Sequence, residues 1–184
     1  MLEYLWLWIT IAILLLFILI AIISMVISSH ILKKNLTQIK ESNDKIDVIL
    51  ARQFDNYSKI LDHLKKAKLN PMDLEPFLVN DLLPKKEDPM SYKQQFSYDL
   101  HDRLVLLLKL STTIDKKVEL TQLENQAKEI YENLLSARRV YNSMVSIFNK
   151  NLISFPLNIA NSFLKLSKEQ FFEIDIYKFD HTDN

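Results

Sequence analysis

Two hydrophobic patterns follow one another along this chain. From Leu5 to Ile27 every position is apolar except Thr10 and Ser24, and no Asp, Glu, Lys or Arg occurs between Glu3 and Lys33. As a helix rising ~1.5 Å per residue, this run spans about 34 Å, enough to cross a ~30 Å hydrocarbon layer with some tilt. Beyond it, Ile39, Asn43, Ile46, Leu50, Gln53, Tyr57, Ile60 and Leu64 alternate by gaps of four and three. That spacing is the seam of a helix packed against other helices. No helix breaker separates it from the apolar run, which allows one continuous rod.

Helical periodicity stops at residues 69–91, which hold four of the five prolines: Pro71, Pro76, Pro84 and Pro89. Proline in a helix interior removes a hydrogen bond and clashes with the preceding turn, so a connector is expected, with at most a short helix over Pro76–Leu83. Periodicity returns from Tyr92 to Ile114 through Phe96, Leu100, Leu104 and Leu107, with a face wide enough to be covered on several sides. After a polar turn over Thr112–Leu120, a second seam runs through Leu123, Ala127, Ile130, Leu134, Ala137, Tyr141, Met144 and Phe148. Phe155 keeps its register, and Pro156 should end or kink the helix. Beside the seam lies a stripe of Arg138, Asn142, Val145, Asn149 and Leu152, whose polar members need partners. Short helices are expected over Asn158–Leu166 and, behind the capping box Ser167-Lys168-Glu169-Gln170, through Glu173. The last residues, 180–184, read as a polar tail.

Composition narrows the picture further. The 184 residues include no Gly, so tight hairpins and phosphate-cradling loops that use positive φ are poorly supplied, and an all-α fold is the expectation. Cysteine is also absent, which excludes disulfides, thiolate metal ligands and a Cys nucleophile. Net charge is zero, but Lys and Arg outnumber Asp and Glu nine to five over residues 31–68 and ten to five over 103–168, with acidic excess between and after them. Alternating blocks suit helices packed side by side and give no basic face for nucleic acid.

The apolar run reads as a membrane anchor over residues 5–29. A cleaved signal peptide would need a basic leading segment and a small-residue cleavage site, and neither is present. Tyr4, Trp6 and Trp8 crowd the start of the run, where amphipathic rings favour the headgroup level, and Lys33 and Lys34 follow its end. The positive-inside rule then leaves residues 1–4 as a short extracytoplasmic tail and puts residues 30–179 in the cytoplasm.

Ala137-Arg138-x-x-Tyr141-Asn142-x-x-Val145-x-x-Phe148-Asn149, followed by Phe155-Pro156, resembles the C-terminal signature of the LemA family of bacterial single-pass membrane proteins. Phe148 stands where the second Tyr-Asn pair of the family has Tyr. Ile46-Asp47-Val48-x-Leu50-x-Arg52-x-x-Asp55 is similar to a second signature, here without its usual Pro and Asn. The resemblance implies a helical bundle behind a membrane helix, a cytoplasmic bundle, and no established biochemical activity.

The expected architecture is therefore an N-terminal transmembrane helix followed by an antiparallel bundle of three to four long helices. Asp47 flanks the first seam as Arg138 and Asn142 flank the second. Asp47 or Asp55 is expected to pair with Arg138, while Asn142 and Asn149 hydrogen-bond across the bundle. Polar residues beside a seam commonly fix register and partner choice. Asp99-Leu100-His101-Asp102 does not present ligands at the i, i+4 spacing of a helical metal site.

No nucleophile with a base, phosphate loop or paired carboxylates in a recognisable setting is found, so no catalytic, cofactor or metal residues are assigned. The expected role is a non-enzymatic scaffold at the inner membrane, with the lipid bilayer and unidentified proteins as partners. A transmembrane signal relay, a membrane-organising homo-oligomer and, last, an unrecognised enzyme are the alternatives.

Overall fold

The computed structural model describes residues 2–66, 83–111 and 118–173. It holds four helices, α1 (Leu2–Lys66), α2 (Met90–Ser111), α3 (Val118–Asn151) and α4 (Leu157–Leu164), and no strand among the described residues. α1 contains neither Gly nor Pro and is unbroken over 65 residues, so the apolar run and the first seam belong to one helix. The chain divides into two compact units. One comprises Met1–Lys40 with Ser143–Glu169, the other Glu41–Asn142 with Gln170–Asn184.

In the second unit α1, α2 and α3 pack on one another. Ile46, Leu50, Tyr57, Ile60 and Leu64 of the first seam are buried, as are Phe96, Leu100, Leu104 and Leu107 of α2 and Ala127, Leu134 and Tyr141 of α3. Burying each large aliphatic side chain contributes roughly 1.5–3 kcal/mol, so these stripes are the main source of the unit's stability. Contacts set the helix directions. Asn56 Nδ2 donates to Leu123 O at 3.2 Å and His63 lies 3.7 Å from Glu119, so α3 runs antiparallel to α1. Asp44 meets Lys86, Asp47 meets Lys93 and Phe54 meets Phe96, numbers rising together, so α2 runs parallel to α1. A parallel return needs a long connection, and 23 residues separate Lys66 from Met90.

In the first unit the buried positions are Ser28, Leu32 and Ile39 of α1, Val145, Phe148 and Leu152 at the end of α3, and Ala160 of α4. By contrast, the apolar run is not covered by protein: Leu14 to Ile20 stand 47–67 % exposed. α3 ends at Asn151, four residues before Phe155. Ile153 N donates to Lys150 O and Ser154 N to Asn151 O in tightened final turns, as expected where a following proline disfavours helix for Phe155. The Phe155–Pro156 peptide is cis. Because α3 has already ended, Phe155 does not continue the seam; it is 78 % exposed. α4 closes at Lys165, a non-glycine residue in the left-handed region (φ 52°, ψ 38°), whose N–H donates to Asn161 O.

Residues 165–173 are not helical, which corrects the capping-box reading of Ser167–Gln170. The expected short helix over Pro76–Leu83 falls mostly on residues 67–82, and with the turn at 112–117 and the tail it lies outside the described residues.

Candidate functional site

The signature asparagines grip main chain. In the second unit Asn142 Nδ2 donates to Phe172 O at 2.9 Å, and Asn142 Oδ1 accepts from Phe172 N at 2.8 Å. A side-chain amide thereby substitutes for a peptide group, satisfying both main-chain atoms of Phe172. Tyr141 Oη donates to Gln170 O at 2.9 Å, and Tyr98 Oη of α2 donates to Glu173 O at 2.9 Å. Glu173 N donates to Gln94 Oε1 at 3.3 Å. Phe172 itself is fully buried, so residues 170–173 are anchored by one core side chain and a row of polar contacts.

The same device recurs in the first unit. Asn149 Nδ2 donates to Glu169 O and Asn149 Oδ1 accepts from Glu169 N, both at 2.9 Å. Seven helical residues advance about 10.5 Å and three extended residues about 10 Å. The heptad-spaced asparagines thus meet peptide groups three residues apart in a segment that is neither helix nor strand. Within residues 165–173 the N–H and C=O of Glu169 and Phe172, which a helix would use, are engaged by Asn149 and Asn142 instead. This corrects the expectation that these asparagines bond from helix to helix.

Asp47 takes a partner that the seam reading did not name. Its carboxylate oxygens lie 2.6 and 2.8 Å from Lys93 Nζ on α2. Lys93 is fully buried, and its ammonium also donates to Asn43 Oδ1 at 3.1 Å and Lys86 O at 3.3 Å. Three acceptor groups match the three ammonium protons. Burial raises the Asp47 pKa above the ordinary carboxylate value, with Lys93 acting in the opposite direction. Asp55 instead pairs with Lys59 of the next turn, at 2.6 Å on the exposed face. Arg138 lies half-buried on α3, where its charge acts on Tyr131. The expected Asp–Arg pairing is replaced by Asp47–Lys93. The signal was present in the sequence: Lys93, Phe96 and Leu100 continue the three-four spacing backwards, which puts a lysine at a seam position.

The remaining motif residues are dispersed. Arg52 is exposed, as are Tyr4, Trp6, Trp8, Lys33 and Lys34, and Pro156 is half-buried. A cleft of about 620 Å³ separates α2 from α3, lined by His101, Leu104, Leu108, Glu124, Lys128 and Tyr131 among others. The His101 and Tyr131 rings lie 4.9 Å apart. Burial pulls the His101 pKa down to about 4, Asp102 opposing it, so the imidazole is neutral at pH 7.

Amide-to-peptide clamps and a buried lysine cage hold helices and a non-helical segment in place. They define an all-helical protein whose polar motif serves its own architecture, with, among the described residues, one helix long and apolar enough to cross a membrane. The sequence model of the LemA family matches residues 84–181, more than half of the chain, and the chain belongs to the LemA family. Every clamp residue falls inside the matched region, whereas Asp47 precedes it. No curated protein and no solved structure matches the chain.

Proposed function

We propose that this protein is a membrane-anchored, non-enzymatic scaffold whose bundle offers a docking surface to proteins at the cytoplasmic face of a bacterial membrane. One observation carries the anchoring: none of the most apolar stretch of α1 is buried by protein. A core helix of a water-soluble fold hides such a stripe, whereas a lipid-facing helix leaves it bare on all sides. Lys33 and Lys34 at its end support a cytoplasmic bundle. The scaffold role is supported by how the motif residues are used. Tyr141, Asn142 and Asn149 are committed to the chain's own C-terminal segment, which leaves them no free groups for chemistry on a substrate. Docking then falls to exposed side chains of the bundle.

The unbroken course of α1 favours a second reading, a signal relay in which the membrane segment and the first seam move as one helix.

Alkaline carbonate extraction tests the anchor: the protein should stay in the membrane pellet and leave it only with detergent. Release by carbonate overturns the anchor. Photo-crosslinkers at exposed bundle positions, followed by mass spectrometry of adducts formed in native membranes, test the scaffold. Reproducible adducts to the same proteins support it, while self-adducts alone favour a homo-oligomer.

A further inference from the structure

We propose that α4, together with Phe155, is a second membrane-embedded element that lies in the same leaflet as the Lys33 end of the α1 span. The inference rests on α1 being the anchor. It begins with Phe155, Ile159 and Phe163, which recur every four residues and stand 78 %, 47 % and 68 % exposed. This row faces outward from the protein, and the adjacent row of Asn158 and Ser162 is exposed as well. An apolar row beside a polar one is the arrangement of a helix lying in a membrane interface.

The row is continuous with the span. Phe155, Ile159 and Phe163 share a groove of about 550 Å³ with α1 residues from Phe17 to Met25. Pro156 and Leu157 border a second groove of about 380 Å³ with residues from Ile20 to Ile31. Phe17 precedes Ile27 by ten residues, about 15 Å of helix, so the shared surface covers roughly the half of a ~30 Å span nearest Lys33. A segment beside that half of α1 meets hydrocarbon wherever α1 does.

The chemistry of α4 suits a dry setting. Unpaired peptide groups in hydrocarbon cost several kcal/mol, and part of those at each end of α4 are paired. Asn158 N donates to Ser154 O and Ile159 N to Pro156 O; at the other end Lys165 N donates to Asn161 O and Leu166 N to Asn161 Oδ1. Ser162 Oγ donates to Asn158 O. Charge points the same way. Residues 1–40 and 143–169 hold six lysines against two glutamates, and Lys150, Lys165 and Lys168 flank α4 in sequence, all exposed. Anionic lipid headgroups therefore favour this unit.

The absence of native cysteine makes the test direct. Full-length F163C, F155C, S162C and L15C variants, each labelled with an environment-sensitive fluorophore, are reconstituted in phosphatidylcholine/phosphatidylglycerol vesicles with and without acyl-chain bromination. The expected result is that F163C and F155C lose emission to the brominated chains to an extent comparable with L15C, while S162C loses less. If L15C is quenched and both F163C and F155C are not, the insertion of α4 is overturned and the anchor stands. If L15C also escapes quenching, both are overturned. Unquenched F163C that forms disulfide-linked dimers when left unlabelled shows a second copy covering the row, which likewise overturns lipid contact.

Discussion

Replacing Asp47 by Asn should destabilise the bundle more than replacing Lys93 by Met, although each change breaks the same pair. Lys93 is wholly buried, whereas the Asp47 side chain keeps 20 % of its exposure. Asp47→Asn strands an ammonium that water cannot reach, with only Asn43, Lys86 O and the new amide as neutral acceptors. Removing one partner of a buried pair costs about 3–5 kcal/mol, and the partial exposure of Asp47 points to the lower end, about 3 kcal/mol. Lys93→Met leaves a carboxylate that can rehydrate, for a cost of about 1–3 kcal/mol. In a chain of this size 1 kcal/mol moves Tm by about 2–4 °C, so D47N should melt about 6–12 °C below the parent protein. Far-UV circular dichroism of the protein in detergent micelles gives the melting curves. The D47N/K93M double variant should melt higher than the sum of the single losses predicts, because neither charge is then left alone. D47N melting within a degree or so of the parent, or strictly additive losses, would refute the cage as an energetic unit.

Asn142→Ala removes two hydrogen bonds to Phe172 and should cost about 1–3 kcal/mol, with faster amide exchange at Phe172. Asn149→Ala should act the same way at Glu169, and unchanged exchange at either amide contradicts its clamp. Lys165→Gly should raise Tm by about 2–4 °C, since glycine adopts the left-handed region without the ~1 kcal/mol cost of a Cβ; an unchanged or lower Tm contradicts that. His101 has a folded pKa of about 4 against the ordinary 6.5, so the folded state resists protonation. Stability is then complete above pH 6.5 and falls as pH drops toward 4, by on the order of 2 kcal/mol after allowance for the partly exposed ring. His101→Leu should flatten that limb of the pH–Tm curve, and an unaltered limb assigns it to other groups.

Most of the helical fold was legible because its information is periodic. The first seam is buried from Ile39 to Leu64 apart from the half-buried Asn43, and the lack of a breaker in α1 allowed an uninterrupted helix without requiring one. Polar partnerships were less legible. A carboxylate beside a seam announces a need for a cation, but spacing does not say which helix supplies it, and Lys93 resembles a surface residue until its register is counted. Residues 165–173 failed for a related reason. Their capping box is a local preference, and local propensity yields where Asn142 and Asn149 capture the same peptide groups from another part of the chain. Phe155 was misplaced because the seam was extended past the point where Pro156 ends the helix.

We propose a bundle held on the cytoplasmic side by a membrane-spanning α1. Cysteine labelling of intact cells tests it most directly, with Lys45→Cys as the reporter because Lys45 is exposed whereas nearby Ser42 is buried. A membrane-impermeant maleimide added to intact cells should leave K45C unmodified and should label it fully once the cells are lysed. Labelling of K45C from outside intact cells would contradict the account.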